Sequence, residues 1–234
     1  MMGKTLSLTH LVREPRAQSE DAPPLLLLLH GIGSNEADLF GLTPYIDERF
    51  LVVSARAPVV LGPGSYGWFR IDFTPEGMTA DIEQAKRSLE LLHGFIGELT
   101  EAYSTDERRT YLAGFSQGAM MSLALMLTRP ERVAGVAAMS GRLPAQVLNS
   151  VHDREALAGL PVIITHGIYD PVLPVAGARA ARKYLEALPV ELTYREYPMG
   201  HEVSAESLRD VSAWLAGVLD APRREVRTGV IDEE

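Results

Sequence analysis

No cysteine occurs among the 234 residues. Its absence removes a disulfide framework, a thiolate metal site and a cysteine nucleophile together, and leaves the redox compartment open. Long hydrophobic runs are missing too. The longest reach five residues, as at Leu25–Leu29 between Pro24 and His30, far short of the ~20 that a membrane-spanning helix needs. Positive charge is in deficit: 22 Lys and Arg face 31 Asp and Glu, a formal charge of −9 with a pI near 5.2. An acidic surface repels phosphate backbones, so a nucleic-acid partner is not expected. Near the start, Lys4 is not followed by an apolar stretch and a small-residue cleavage site, which reads as no signal peptide. The expectation is a cytoplasmic protein without stable membrane insertion.

What is present suits a globular protein. Hydrophobic residues make up 46% and charged residues 23%, and the length is right for one domain with a large core. No repeat, low-complexity tract or interior linker interrupts it. The expected organisation is one domain over 1–234, with a core at about 24–219, and with polar, loosely held segments at 12–22 and 221–234.

Short apolar runs alternate with helical patterns throughout, which predicts an α/β fold with a mostly parallel sheet and helices on both faces. Strands are expected at 25–30, 50–54, 110–114, 133–140, 162–166 and 190–197. The middle ones are apolar without alternation, as central strands covered on both faces should be. The last alternates, with Val190, Leu192 and Tyr194 between Glu191, Thr193 and Arg195, and reads as nearer an edge. Helices are expected over 81–103, where Ile82, Ala85, Leu89, Leu92, Ile96, Leu99 and Tyr103 form one stripe, over the nearly all-apolar 117–128, and over 204–219.

Gly114-Phe115-Ser116-Gln117-Gly118 fits the G-x-S-x-G pattern in which a serine projects from a sharp strand-to-helix turn. A hydroxyl is a poor nucleophile unless it stands free beside a base, and only small residues fit on either side of so tight a turn. Alone the pattern is weak, and an ordinary Gly-rich turn is the competing reading. Its place after the apolar Tyr111-Leu112-Ala113 and before a helix is the context the motif requires.

In this architecture an acid and then a histidine follow the serine along the chain. Only His152, His166 and His201 come after Ser116. Asp170 follows the strand ending at His166, and His201 is the one histidine beyond it. The triad is therefore read as Ser116, Asp170 and His201, with His201 as the base and Asp170 as its orienting partner. A turn aspartate before Pro171 and a loop or capping histidine are the plain alternatives. Glu196 and Glu202 are weaker acids, being too close in sequence to His201 to lie across from it. For the oxyanion, the donors by position are the backbone N–H groups of Gln117 and of Ile32, the latter in His30-Gly31-Ile32-Gly33-Ser34, where glycines let the backbone approach substrate. A phosphate-binding loop is disfavoured by the missing G-x-G-x-x-G spacing and by nearby Glu36 and Asp38.

These segments, together with Trp68-Phe69, Met139-Ser140-Gly141-Arg142-Leu143-Pro144, His166-Gly167 with Asp170-Pro171-Val172 and Pro174, and Gly200-His201-Glu202-Val203, resemble the phospholipase/carboxylesterase family of α/β-hydrolases, which also contains the acyl-protein thioesterases. The resemblance runs over about 24–219. It implies esterase activity on short- to medium-chain acyl esters, or on thioesters, with no metal or cofactor. It implies an oxyanion hole from Ile32 and Gln117 and a small-molecule ester as partner, and it puts Gly31, Trp68 and Leu173 beside substrate. A core or packing role for Trp68 is the alternative. Arg70 follows Trp68-Phe69 where an acidic or neutral residue is more usual in the family, so a different substrate is expected at that rim. Relatives often form dimers, for which the edge near 190–197 is the candidate surface.

Only 53 residues separate Ser116 from Asp170. No inserted cap domain fits there, so a shallow, open site is expected. The readings that stay open are a carboxylesterase, a thioesterase or lysophospholipase of the same chemistry, and a non-catalytic binding protein on the same fold.

Overall fold

A computed structural model describes residues 6–17, 20–74, 77–144 and 154–222. Eleven strands occur among them: β1 (His10–Arg13), β2 (Leu25–Leu29), β3 (Leu51–Ala55), β4 (Val59–Gly62), β5 (Ser65–Gly67), β6 (Ile71–Thr74), β7 (Gly77–Ala80), β8 (Thr110–Phe115), β9 (Gly135–Met139), β10 (Pro161–Gly167) and β11 (Glu191–Tyr197). Seven form one sheet in the order β1-β3-β2-β8-β9-β10-β11. All neighbours pair in parallel except β1, which runs antiparallel to β3. From β2 the chain steps one way to β3 and later the other way to β8. The reversal leaves a crevice at the carboxyl ends of β2 and β8, where ligands bind in open α/β sheets.

The five leucines of β2 show how the core divides. Leu25, Leu27 and Leu29 join one cluster and Leu26 and Leu28 another, because successive strand residues point to opposite faces. The first face is covered by α2 (Ile82–Tyr103), α3 (Gln117–Thr128) and α4 (Val175–Leu185), through Leu92, Phe95, Leu99, Leu123, Ala181 and Leu185. The second is covered by the short α1 (Ala37–Phe40) and by α5 (Ala205–Asp220), through Leu39, Val211, Leu215 and Leu219. Side chains cap two of these helices: Asp81 accepts from the Gln84 N–H and Ser204 from the Ser207 N–H.

The expected strands and helices are all present. The sequence reading lacked β1, the two hairpins β4–β5 and β6–β7, and the helices α1 and α4. In α4 the buried stripe is Ala178, Ala181 and Leu185, too small a set to stand out as amphipathic. The expected looseness of 12–22 needs correction. Val12 and Arg13 lie in β1, the Arg13 guanidinium donates to the carbonyls of Ile46 and Asp47, and the N–H groups of Arg16 and Ala17 donate to Glu48. Residues 18–19 and 223–234 lie outside the described set. Between Ser116 and Asp170 the described residues form α3, β9, β10 and two single-turn 3₁₀ segments. Among the described residues no helix is long and apolar enough to cross a membrane.

Candidate active site

Ser116 stands between β8 and α3 with φ 53° and ψ −113°, a conformation that costs an L-residue energy and persists only where its surroundings enforce it. The enforcement is steric. A Cβ at Gly118 would overlap the carbonyl of Leu29, and one at Gly114 would overlap the backbone of Gly118. Glycine at both positions lets β2, β8 and α3 close on one another and tip the serine out of the strand line. The Ser116 N–H donates to Met139 O at 2.9 Å, which ties the turn to β9.

Two other strand ends deliver the histidine and the acid. His201 lies in the loop after β11, its ring centroid 5.0 Å from that of Phe115. Its Nε2 is 2.9 Å from Ser116 Oγ and its Nδ1 is 2.7 Å from Asp170 Oδ2. Asp170, in the loop after β10, uses its other oxygen to accept the N–H groups of Val172 and Leu173, each at 2.8 Å. The turn role considered for this aspartate and the histidine contact are thus both met by one carboxylate. Burial pushes its pKa up, but the bonds from His201, Leu173 and Val172 outweigh burial and hold it below the usual carboxylate range. Of the other acids, Glu196 is engaged elsewhere: Arg179 holds it down to about 2 by a paired hydrogen bond at 2.8 Å.

The loop after β2 carries the second donor candidate. Gly33 has φ 85°, and its N–H donates to Tyr66 O at 2.8 Å. His30 is fully buried. Its Nε2 accepts the Ala57 N–H at 3.0 Å, so the ring proton sits on Nδ1 and is donated to Gly31 O at 2.7 Å. Since the trans peptide points C=O and N–H in opposite directions, holding the Gly31 carbonyl fixes where the Ile32 N–H points. Gln117 is the first residue of α3, so its N–H has no acceptor within the helix.

Some expected substrate neighbours lie differently from expectation. Trp68 has no exposed surface, so its ring is not placed to touch substrate. It packs in the core and donates from Nε1 to His30 O at 3.0 Å. Gly31 is buried against Phe115 and Ser116, where an added Cβ would lie 3.2 Å and 3.4 Å from them. Ile32 is 37% exposed at the rim, where Ile168, Tyr169 and Val172 are exposed as well. Arg70 is exposed and donates to Val60 O at 3.0 Å. Leu173 lines a cavity of about 240 Å³ with Gly141, Arg142, His166, Pro174 and Gly177.

Two contributors were missed in the sequence. The Gln117 side chain accepts the Trp68 N–H and donates to Phe69 O, both at 2.7 Å. The His30 ring holds the Gly31 carbonyl. A buried polar residue at a motif position was the available signal for both.

A protein-family model described as Phospholipase/Carboxylesterase matches residues 12–219. The chain belongs to the phospholipase/carboxylesterase family. Its fold is accordingly that of the α/β-hydrolases. Acyl-protein thioesterase 1 of Kluyveromyces lactis is 28% identical to this family member over 219 residues, covering 87% of the chain and 95% of the relative. Among solved structures, esterase PE8 is 29% identical with a TM-score of 0.78, covering 91% of this chain and all of the other. The carboxylesterase of Bacillus cereus is 25% identical with a TM-score of 0.75, covering 91% and 95%.

Proposed function

We propose that this chain is a serine carboxylesterase that hydrolyses short- to medium-chain esters through an acyl-enzyme, with Ser116, His201 and Asp170 as its triad. The observation that carries the reading is the single imidazole of His201, 2.9 Å from a strained, nearly buried serine hydroxyl and 2.7 Å from a buried carboxylate.

The steps follow from that geometry. Ser116 Oγ attacks the ester carbonyl as His201 Nε2 takes its proton. The carbonyl oxygen gains charge and is met by the N–H groups of Gln117 and Ile32. His201 then gives its proton to the departing alkoxide, leaving an acyl group on Ser116. Water, deprotonated by His201, attacks the acyl carbon and Ser116 leaves with the proton. Asp170 stays ionised throughout and stabilises the imidazolium. Every group comes from the ends of one sheet, so the reading treats the chain as one catalytic domain.

Wild type and Ser116→Ala, assayed side by side on p-nitrophenyl esters from acetate to palmitate, test it. Loss of several orders of magnitude in kcat is expected. Retention of most activity would mean that Ser116 is not the nucleophile, and inactivity of both proteins would point to a binding protein. Thioester cleavage is the second reading, because the Kluyveromyces lactis relative is named an acyl-protein thioesterase. Rates on the oxygen and sulfur esters of one acyl chain separate the two. For a homodimer, the β11 edge is the proposed contact, and sedimentation at several concentrations decides it.

A further inference from the structure

A cavity beside Asp170 carries a positive charge on its wall. Its walls are Gly141, Arg142, His166, Leu173, Pro174 and Gly177, in a volume of about 240 Å³, room for roughly eight water-sized groups. It adjoins the backbone of Ser116 on one side and the carboxylate of Asp170 on the other. Gly141 packs beside Ser116, since a Cβ there would come within 3.3 Å of the Ser116 carbonyl oxygen. Leu173 and His166 flank Asp170, at 2.8 Å through the Leu173 N–H and 3.4 Å through His166 Nε2. Among these wall residues there is one cation and no carboxylate.

Arg142 makes no ion pair with any described residue, whereas other arginines that end near acids are engaged, as in Arg179–Glu196, Arg182–Glu186 and Arg49–Asp220. Arg142 follows β9 by three residues and is exposed where it meets the cavity. His166 lies fully buried behind the wall and donates from Nε2 to Leu173 O at 2.8 Å. A cation without a counter-ion among the described residues, on one small cavity between the Ser116 backbone and Asp170, describes a subsite suited to an anionic group rather than to a plain alkyl chain.

We propose that this cavity receives an acyl group ending in a carboxylate, which Arg142 holds in a charge-assisted hydrogen bond. The preferred substrates are then monoesters of short dicarboxylic acids. This inference rests on the esterase reading and names the substrate class for it. The length is limited by the cavity to a few carbons between the ester carbonyl and the anion. The guanidinium fork matches a carboxylate with two parallel N–H groups, a pairing that a neutral methyl terminus cannot make.

The test compares monomethyl glutarate with methyl valerate, two methyl esters of similar chain length, by pH-stat titration at pH 7.5. Wild type is expected to show kcat/KM about tenfold higher on the charged ester, the range of one charge-assisted hydrogen bond. The charged-to-neutral ratio should collapse toward one in Arg142→Gln, fall below one in Arg142→Glu, and shrink in wild type as salt is raised. A wild-type ratio at or below one, or a ratio above one that survives Arg142→Gln, overturns the inference while cleavage of methyl valerate leaves the esterase reading standing. Cleavage of neither ester, with p-nitrophenyl acetate also untouched, defeats the esterase reading itself and this inference with it.

Discussion

The side-chain amide of Gln117 spans the backbone of Trp68 and Phe69, accepting one N–H and donating to one carbonyl at 2.7 Å each. The residue proposed to give its main-chain N–H to the oxyanion therefore also fixes the segment that packs beneath it. Trp68 passes the restraint on: its Nε1 donates to the carbonyl of His30, and its own carbonyl accepts from the hydroxyl of Ser88. Gln117→Ala would leave two buried backbone groups without partners, at about 1–3 kcal/mol each. For a chain of this size each 1 kcal/mol lowers Tm by roughly 2–4 °C. Gln117→Glu keeps the acceptor for Trp68 but sets a carboxylate against the Phe69 carbonyl. It is expected to be no better than the alanine variant in thermal unfolding, and to lower kcat more than it raises KM.

His30 links acidity to the same loop. Burial, the largest influence, lowers its pKa, against the Gly31 hydrogen bond and the negative charges of Asp38 and Glu36, with Arg56 adding to the lowering. The folded protein therefore keeps His30 neutral where the unfolded chain would protonate it. Below the unfolded value near 6.5 the unfolded state binds more protons, so stability falls as pH falls, until the folded value is reached. The slope from this one group is at most about 1.4 kcal/mol per pH unit. Urea unfolding between pH 5 and 7.5 should show a shallower pH slope in His30→Gln than in wild type. An identical slope would mean that His30 is not the linked group.

Much of this site was legible because its chemistry depends on sequence order and on strand ends. The motif around Ser116, an acid after the strand that ends near His166, and a lone histidine beyond it suffice to name three residues, and a parallel sheet brings such strand ends to one edge. What was not legible depends on side-chain direction. Nothing in the spacing reveals that the Gln117 amide turns back onto the link between β5 and β6, or that Trp68 faces the core rather than the cleft. The β4–β5 and β6–β7 hairpins were missed for a related reason. They lie outside the main sheet and lack the unbroken apolar runs that mark its central strands.

The two glycines around Ser116 and a glycine in α2 should respond oppositely to one added methyl. At Gly118 a Cβ would overlap the Leu29 carbonyl, so Gly118→Ala must push β2 away from α3. A cost of at least about 3 kcal/mol is expected, with loss of activity in whatever folds. Gly97, inside α2, has nothing within 4 Å of such a Cβ. Gly97→Ala should stabilise by about 0.5–1 kcal/mol through helix propensity and a more restricted unfolded chain. Thermal unfolding followed by circular dichroism separates the two, and equal effects would contradict the packing described around the elbow.

Asp170→Asn tests the proposed triad without removing atoms. The asparagine oxygen can still accept the Val172 and Leu173 N–H groups, so the loop after β10 should keep its shape and the variant should fold. Its amide hydrogens, however, would face His201 Nδ1, which then becomes an acceptor and moves the ring proton to Nε2. In that tautomer the imidazole donates to Ser116 Oγ instead of taking its proton. A loss of roughly three to four orders of magnitude in kcat is expected, with KM changed little. Circular dichroism should show a native spectrum. The carboxylate's depressed pKa adds a second signature: its stabilisation is fully present above the unfolded value near 3.9 and is lost as pH falls through the folded value. Wild type and variant should therefore converge in stability in strong acid. A variant that retains more than a tenth of wild-type kcat would mean that His201 takes its orientation from elsewhere, with His166, 3.4 Å from the same carboxylate oxygen, the next group to examine.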